Sequence, residues 1–220
     1  MPFHRPAHAR PACDFDSDSD GNFAPNSDRN VVTRFERNSA SRLDRCPDQG
    51  LDEDALLRAA QQSEDDCYFM GLALEQARMA AKLDEVPIGA VVVCKGEVIA
   101  QGYNRREIDN NPAGHAEFLA MMEASRRLGV WRLSDCTVYV TLEPCLMCAG
   151  LMYQARIDRC VYGALDPKAG ALGSLYHINE DERLNHAFAV TRGVRADESA
   201  ALLRSFFKDK RARNKARKLS

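Results

Sequence analysis

The chain has 220 residues, 45% hydrophobic and 28% charged, with a formal net charge of −2 at pH 7. That length suits one domain with its own core plus an appendage, and no apolar run approaches the roughly 20 residues of a membrane helix. The start has no secretory hydrophobic stretch and carries the acidic "DFDSDSD", so neither a secretory signal nor a transit peptide is expected and a cytoplasmic protein is.

Charge is uneven along the chain. Residues 1–65 hold 13 acidic and 8 basic side chains, whereas residues 66–220 hold 19 and 22. Residues 1–64 are rich in Pro, Ser, Asp and Asn and show little apolar periodicity, which predicts a disordered low-complexity extension. Within it, "DEDALLRAAQQ" can form a transient helix. The domain is expected from Asp65 to the C-terminus.

The elements of that domain follow in order. "DDCYFMGLALEQARMAAKL" predicts a helix with Phe69, Leu72, Ala73, Gln76 and Ala80 near one face. "VPIGAVVVCKGEVIAQGYN" predicts a hairpin turning at Lys95-Gly96. After the loop "NRREIDNNPAG", "HAEFLAMMEASRRLG" predicts a helix ended by Gly129. "CTVYVTL" reads as a strand and "CLMCAGLMYQAR" as a helix opened by Pro144. "RCVYGA" and "AFAVTRG" read as strands flanking the Gly-rich loop "LDPKAGALGSLYHI". A last helix, "DESAALLRSFFKDKRARNKARKL", is expected to be capped by Asp197. Strands that alternate with helices after an opening hairpin predict an α/β sandwich with a mixed sheet.

The chemistry concentrates at one pair of cysteines. Of eight cysteines, six are scattered singly and read as small buried apolar residues, Cys94 and Cys136 in strand-like runs among them. Cys145 and Cys148 are three apart at a helix start, so they lie on one side of a first turn. Such a pair can be a redox dithiol, part of a structural zinc site, or part of a catalytic one. His115 also begins a helix, and both helix N-termini can point at one spot beyond the strand ends. One imidazole and two thiolates make three ligands. Tetrahedral zinc takes four, so one position is left for water, as in catalytic sites. Glu117, two residues after His115, is placed to move that water's proton. No second cysteine pair exists to close a structural site.

His115-Ala116-Glu117 and Pro144-Cys145-Leu146-Met147-Cys148 match the H-x-E and P-C-x-x-C signature of zinc-dependent nucleobase deaminases. "EVPIGAVVV", "GYN", "TVYVTLEPCLMCAG", "VYGALDPKAGALGSL" and "LLRSFFK" further resemble successive blocks of bacterial tRNA-specific adenosine deaminases, over about residues 66 to 215. One departure is Ala113-Gly114 before the histidine, where many relatives have Thr-Ala.

The resemblance implies a cytidine deaminase-like fold, a three-layer α/β/α sandwich around a mixed five-stranded sheet. It implies one Zn2+ per subunit on His115, Cys145 and Cys148, with Glu117 shuttling protons. It implies hydrolysis of a flipped wobble adenosine to inosine in a tRNA anticodon stem-loop, by a homodimer. Asn104 and Ala116 would contact the substrate.

The stretch 208–218 has seven Lys or Arg against one Asp, and large apolar residues stop after Phe207 until Leu219. With Arg106 and Lys168 this tail could form an electrostatic footprint for RNA. Of Phe206 and Phe207, one is expected in the core and the other on RNA. Asp166 is expected to pin its own loop. The rival reading is a zinc deaminase of a free base or nucleoside, which needs no phosphate contacts.

Overall fold

The computed structural model describes residues 53–218, all within one compact unit spanning residues 50–220. The expectation of disorder therefore falls largely outside the described residues. Its last part falls within α1, which runs unbroken over Glu53–Lys82, twelve residues ahead of Asp65. Residues 59–65 are exposed, and the first buried position among the described side chains is Asp66. "EDALLRAAQQ" is composed of good helix formers, which lets the helix extend ahead of the packed part.

Past Asp66 the helix buries Met70, Ala73, Leu74, Ala77 and Ala80, an i, i+3, i+4 stripe, with Phe69 and Leu72 packed at its edge. β1 (Gly89–Cys94) and β2 (Glu97–Tyr103) form the hairpin. Its two-residue turn has φ of 51° at Lys95 and 83° at Gly96, the positive pair that matches strand twist. A Cβ on Gly89 would collide with the backbone of Ala73 and Ala77, so glycine here lets α1 lie close on β1.

α2 (Ala116–Leu128) ends as expected at Gly129, whose N–H donates to Ser125 and Arg126 carbonyls at φ 70°. β3 (Cys136–Leu142), α3 (Leu146–Ala155), β4 (Arg159–Ala164), β5 (Ala189–Arg192) and α4 (Ala196–Arg217) complete the chain. Two cap details differ from the sequence reading. Pro144 lies outside α3, which begins at Leu146. Asp197 sits in the first turn of α4, while Arg195, in the left-handed region at φ 51°, takes the cap position.

The five strands form one mixed sheet in the order β2-β1-β3-β4-β5. The β1–β2 and β1–β3 pairs are antiparallel; β3–β4 and β4–β5 are parallel. Alternation sorts the sheet's side chains to two faces. Ala90, Val92, Val138 and Val140 join α2 and α3 in one core cluster. Val91, Val93, Tyr139 and Val161 meet α1 on the other side, where α4 also packs. The three-layer α/β/α sandwich is therefore as expected. Among the described residues no helix is long and apolar enough to cross a membrane.

A buried polar clamp ties the α1 layer to the sheet. Arg159 Nη1 and Nη2 donate to Asp66 Oδ1 and Oδ2 at 2.9 and 2.6 Å, and Tyr139 Oη donates to the same Oδ1 at 2.9 Å. Burial, followed by the Asp66 carboxylate, pushes the Tyr139 hydroxyl pKa up, so it stays a donor. Truncating one member leaves a buried charge without its partner. Asp66→Ala is expected to destabilise the fold by about 3–5 kcal/mol, read as a lowered midpoint in denaturant unfolding.

Candidate active site

The two chain segments that carry the signature meet at the ends of α2 and α3. His115 and Cys145 occupy the N-cap positions of these helices, both with extended backbone and neither using its side chain as a cap. Their carbonyls accept the first helical hydrogen bonds, from Leu119 and Ala149, so the side chains are left to point outward from the helix ends. Cys148 lies one turn further along α3 and is fully buried.

His115 Nδ1 lies 3.6 Å from Cys145 Sγ and 3.6 Å from Cys148 Sγ. All three ligand atoms lie within 4.8 Å of one another. Tetrahedral zinc with bonds of about 2.0–2.1 Å to nitrogen and 2.3 Å to sulfur sets nitrogen and sulfur about 3.6 Å apart, so this donor set fits the ion in chemistry and in spacing.

The three groups share protons among themselves. A hydrogen bond from Cys148, then one from His115, holds the Cys145 thiol pKa down to about 3 despite partial burial. Cys148 is pushed up by the same contact with Cys145 and by burial, so Cys145 carries the thiolate. His115 is raised, chiefly by its hydrogen bond to Cys145. A divalent cation between them takes both sulfurs as thiolates and the ring as neutral imidazole.

Glu117 lies in the first turn of α2 and is buried, at 4% exposure. Burial pushes its carboxyl pKa up, opposed by its own backbone N–H and by Cys148. A carboxyl so raised and in contact with the ligand cluster can accept a proton and release it again.

The other expected contacts separate into groups. Asn104 is buried, its Nδ2 donating to Glu85 Oε2 at 2.9 Å and its backbone N–H to the Ile88 carbonyl at 2.9 Å. Arg106 and Lys168 are exposed on loops, and the Arg106 charge opposes protonation of His115. Ala116, expected against the substrate, is the first residue of α2 and has its side chain enclosed in the core cluster. Phe206 is likewise buried at 8% exposure, with Lys210 over its ring, while Phe207 is 41% exposed. The helical spacing of α4 thus turns Phe206 to the protein and leaves Phe207 as the aromatic open to a ligand. Asp166 pins its loop as expected, accepting from the Lys168 and Ala169 N–H groups at 3.0 and 3.2 Å.

Two carboxylates escaped the sequence reading. Glu85 is 1% exposed and, besides holding Asn104, accepts from the Ile108 N–H at 2.8 Å, tying the 105–114 loop to the end of α1. Glu143, just before Pro144-Cys145, is 2% exposed. It accepts from the N–H groups of Asp166 at 3.0 Å, Leu172 at 3.2 Å and Ser174 at 2.9 Å, and from the Ser174 hydroxyl. A Cβ on Gly170 would collide with this carboxylate, which accounts for glycine there. The available signal was a charged residue inside the apolar, strand-ending "TLEP".

Known proteins can now be set beside this geometry. A family model of the cytidine and deoxycytidylate deaminase zinc-binding region matches residues 63–164. The tRNA-specific adenosine deaminase of Bacillus subtilis (strain 168) is 44% identical over 151 residues, covering 69% of this chain and 94% of that protein. The chain belongs to the tRNA-specific adenosine deaminase family. A tRNA-specific adenosine deaminase of Haemophilus influenzae is 42% identical over 161 residues, 73% of this chain and 93% of that one. Among solved structures, one from a study of A-to-I editing by tRNA deaminases at the wobble position is 46% identical. It superimposes with a TM-score of 0.60, covering 62% of this chain and 99% of that chain. A guanine deaminase from Nitrosomonas europaea is 29% identical, with a TM-score of 0.54 over 63% of this chain and 82% of that chain.

Removing the Glu143 carboxylate leaves buried N–H groups without an acceptor, at about 1–3 kcal/mol each. Glu143→Ala is expected to keep its zinc while KM rises about tenfold as the 166–174 loop loses its anchor. Steady-state kinetics with zinc quantified on the same sample check this.

Proposed function

We infer that the protein is a zinc-dependent enzyme that hydrolyses the wobble adenosine of a tRNA anticodon to inosine, releasing ammonia. The observation that supports this most directly is the convergence of His115 Nδ1 on both cysteine sulfurs at 3.6 Å. These three residues would hold one zinc ion, which supplies Lewis acidity and brings the pKa of a water in its fourth position toward neutrality.

The remaining work belongs to side chains of this chain. Glu117, enclosed and raised in pKa, takes a proton from the attacking water and delivers it to N1 of the adenine, then carries the second proton, from the hydroxyl now on C6, to the amine that leaves as ammonia. Each turnover returns it to its starting state. Asn104, its Nδ2 held by Glu85, keeps its Oδ1 for the substrate. Burial of both partners fixes this amide before substrate arrives, so no ordering cost falls on the bound state.

RNA is held from outside the pocket. Along α4, Arg204, Lys208 and Arg211 surround the exposed Phe207 in one surface groove. Cations beside an open aromatic ring suit a single-stranded loop, whose phosphates and unstacked bases meet both at once. The α4 end reaches back toward the pocket, where Arg213 pairs with Asp84, the residue before Glu85. Arg106 and Lys168 add two exposed cations on the loops around the site.

A homodimer completes the reading. Met122 of α2 and Leu146 and Met147 of α3 are 46%, 46% and 37% exposed on the helices that carry the ligands. A second copy would cover this apolar surface next to the catalytic group. Mature tRNA as substrate puts the enzyme in the cytoplasm.

The deciding assay offers the purified protein a tRNA anticodon stem-loop and, separately, free guanine, cytosine and adenosine. Inosine in the RNA is the expected outcome; turnover of a free base alone would instead support the guanine-deaminase-like reading. Glu117→Ala is expected to retain zinc and RNA binding while kcat falls about 10²–10⁴-fold.

A further inference from the structure

We propose that Cys94 and Cys136 are a reversible disulfide pair, joined by peroxide across β1 and β3 at the end of the sheet remote from the zinc ligands.

The two residues are cross-strand partners in the antiparallel β1–β3 ladder. Their backbone hydrogen bonds set the kind of pair. Cys136 N–H donates to the Leu133 carbonyl at 3.2 Å, and its carbonyl accepts from the Asp158 N–H at 3.1 Å, so both groups face away from β1. Cys94 closes the two-residue turn against Glu97 and so directs its own groups to β2. The pair is therefore not hydrogen-bonded through the backbone. That class has Cα atoms about 4.5 Å apart, with side chains on one face, inside the roughly 4.4–6.8 Å a disulfide spans. Consistent with this, Cys94 packs on the same core cluster that contains Cys136.

The two thiols differ in access. Cys136 is fully buried and Cys94 only partly. Burial, and after it the contact with Cys94, pushes the Cys136 thiol up to about 12. Cys136 is therefore shielded from the oxidant, beside a sulfur that solvent can reach. Hydrogen peroxide transfers one oxygen to the Cys94 sulfur, leaving a sulfenic acid and water. The Cys136 sulfur then attacks that sulfur, its proton leaves with the hydroxyl as a second water, and the S–S bond forms. The two thiols lose two hydrogens and one peroxide becomes two waters. A thiol reductant reverses the change by exchange.

Position separates this event from catalysis. β3 spans seven residues from Cys136 to Leu142, about 20 Å, before the chain reaches Cys145. The bond closes the segment between residues 94 and 136, which includes all of α2, and limits the freedom of the unfolded chain. The oxidised protein is thus expected to keep its zinc and turnover and to unfold at a higher temperature.

The test treats full-length, zinc-loaded protein with hydrogen peroxide, blocks free thiols under denaturing conditions, and digests with trypsin and chymotrypsin. Chymotrypsin cuts after Tyr139, separating Cys136 from the ligand cysteines. A peptide pair joining Cys94 to Cys136, lost on reduction and absent from Cys94→Ser, is expected. Recovery of both residues as blocked free thiols, at peroxide levels that oxidise the exposed Cys67, overturns the proposal. So does Cys94 found only as sulfinic acid with Cys136 free. The wild-type digest decides the matter alone, whether or not the serine variant folds.

Discussion

The contact on which the molecule depends is the approach of one imidazole nitrogen to two sulfurs from a different helix. His115 Nδ1 reaches both Cys145 and Cys148 at 3.6 Å only because α2 and α3 deliver their N-termini to one point. α2 lies across β1 and β2, and α3 follows directly on β3. The distance between ligands is thus fixed by the antiparallel β1–β3 pairing and by the core that presses α2 on the sheet. A slip of one residue in that ladder would move every side chain to the opposite face and separate the ligands.

Buried carboxylates do the holding around this point, each in a different way. Asp66 clamps a sheet residue, Arg159, to α1. Glu85 ties Asn104 and the loop carrying Arg106 to the end of α1. Glu143 gathers the backbone of the Gly-rich loop beside the cysteines, where burial disfavours its charge but the donors of Ser174, Asp166 and Leu172 prevail and its pKa is lowered. Glu117 has no such set of donors and is pushed the opposite way. Two glutamates near one site therefore differ in preferred charge because their hydrogen-bond partners differ, one favoured as a carboxylate that holds a loop and one pushed toward its protonated form.

Positive charge outside the site is concentrated on α4. The cations of α4 stand on a helix whose last turns are exposed, alongside Phe207. The guanine deaminase likeness, at 29% identity, reflects a shared fold.

The sequence alone determined the strands and helices, their order and which three residues could hold a metal ion. Those depend on local signals: β-branched runs, a Lys-Gly turn, Gly129 at a helix end, and the spacing within H-x-E and P-C-x-x-C. Tertiary structure decided what local spacing cannot encode. It enclosed Ala116 and Phe206 and left Phe207 open, because burial depends on which helix face meets the sheet. It turned Glu85 and Glu143, ordinary in sequence, into buried anchors whose partners lie 19 to 31 residues away. It also set Cys94 beside Cys136, a neighbour relation created by strand register and by nothing in either residue's own surroundings along the chain.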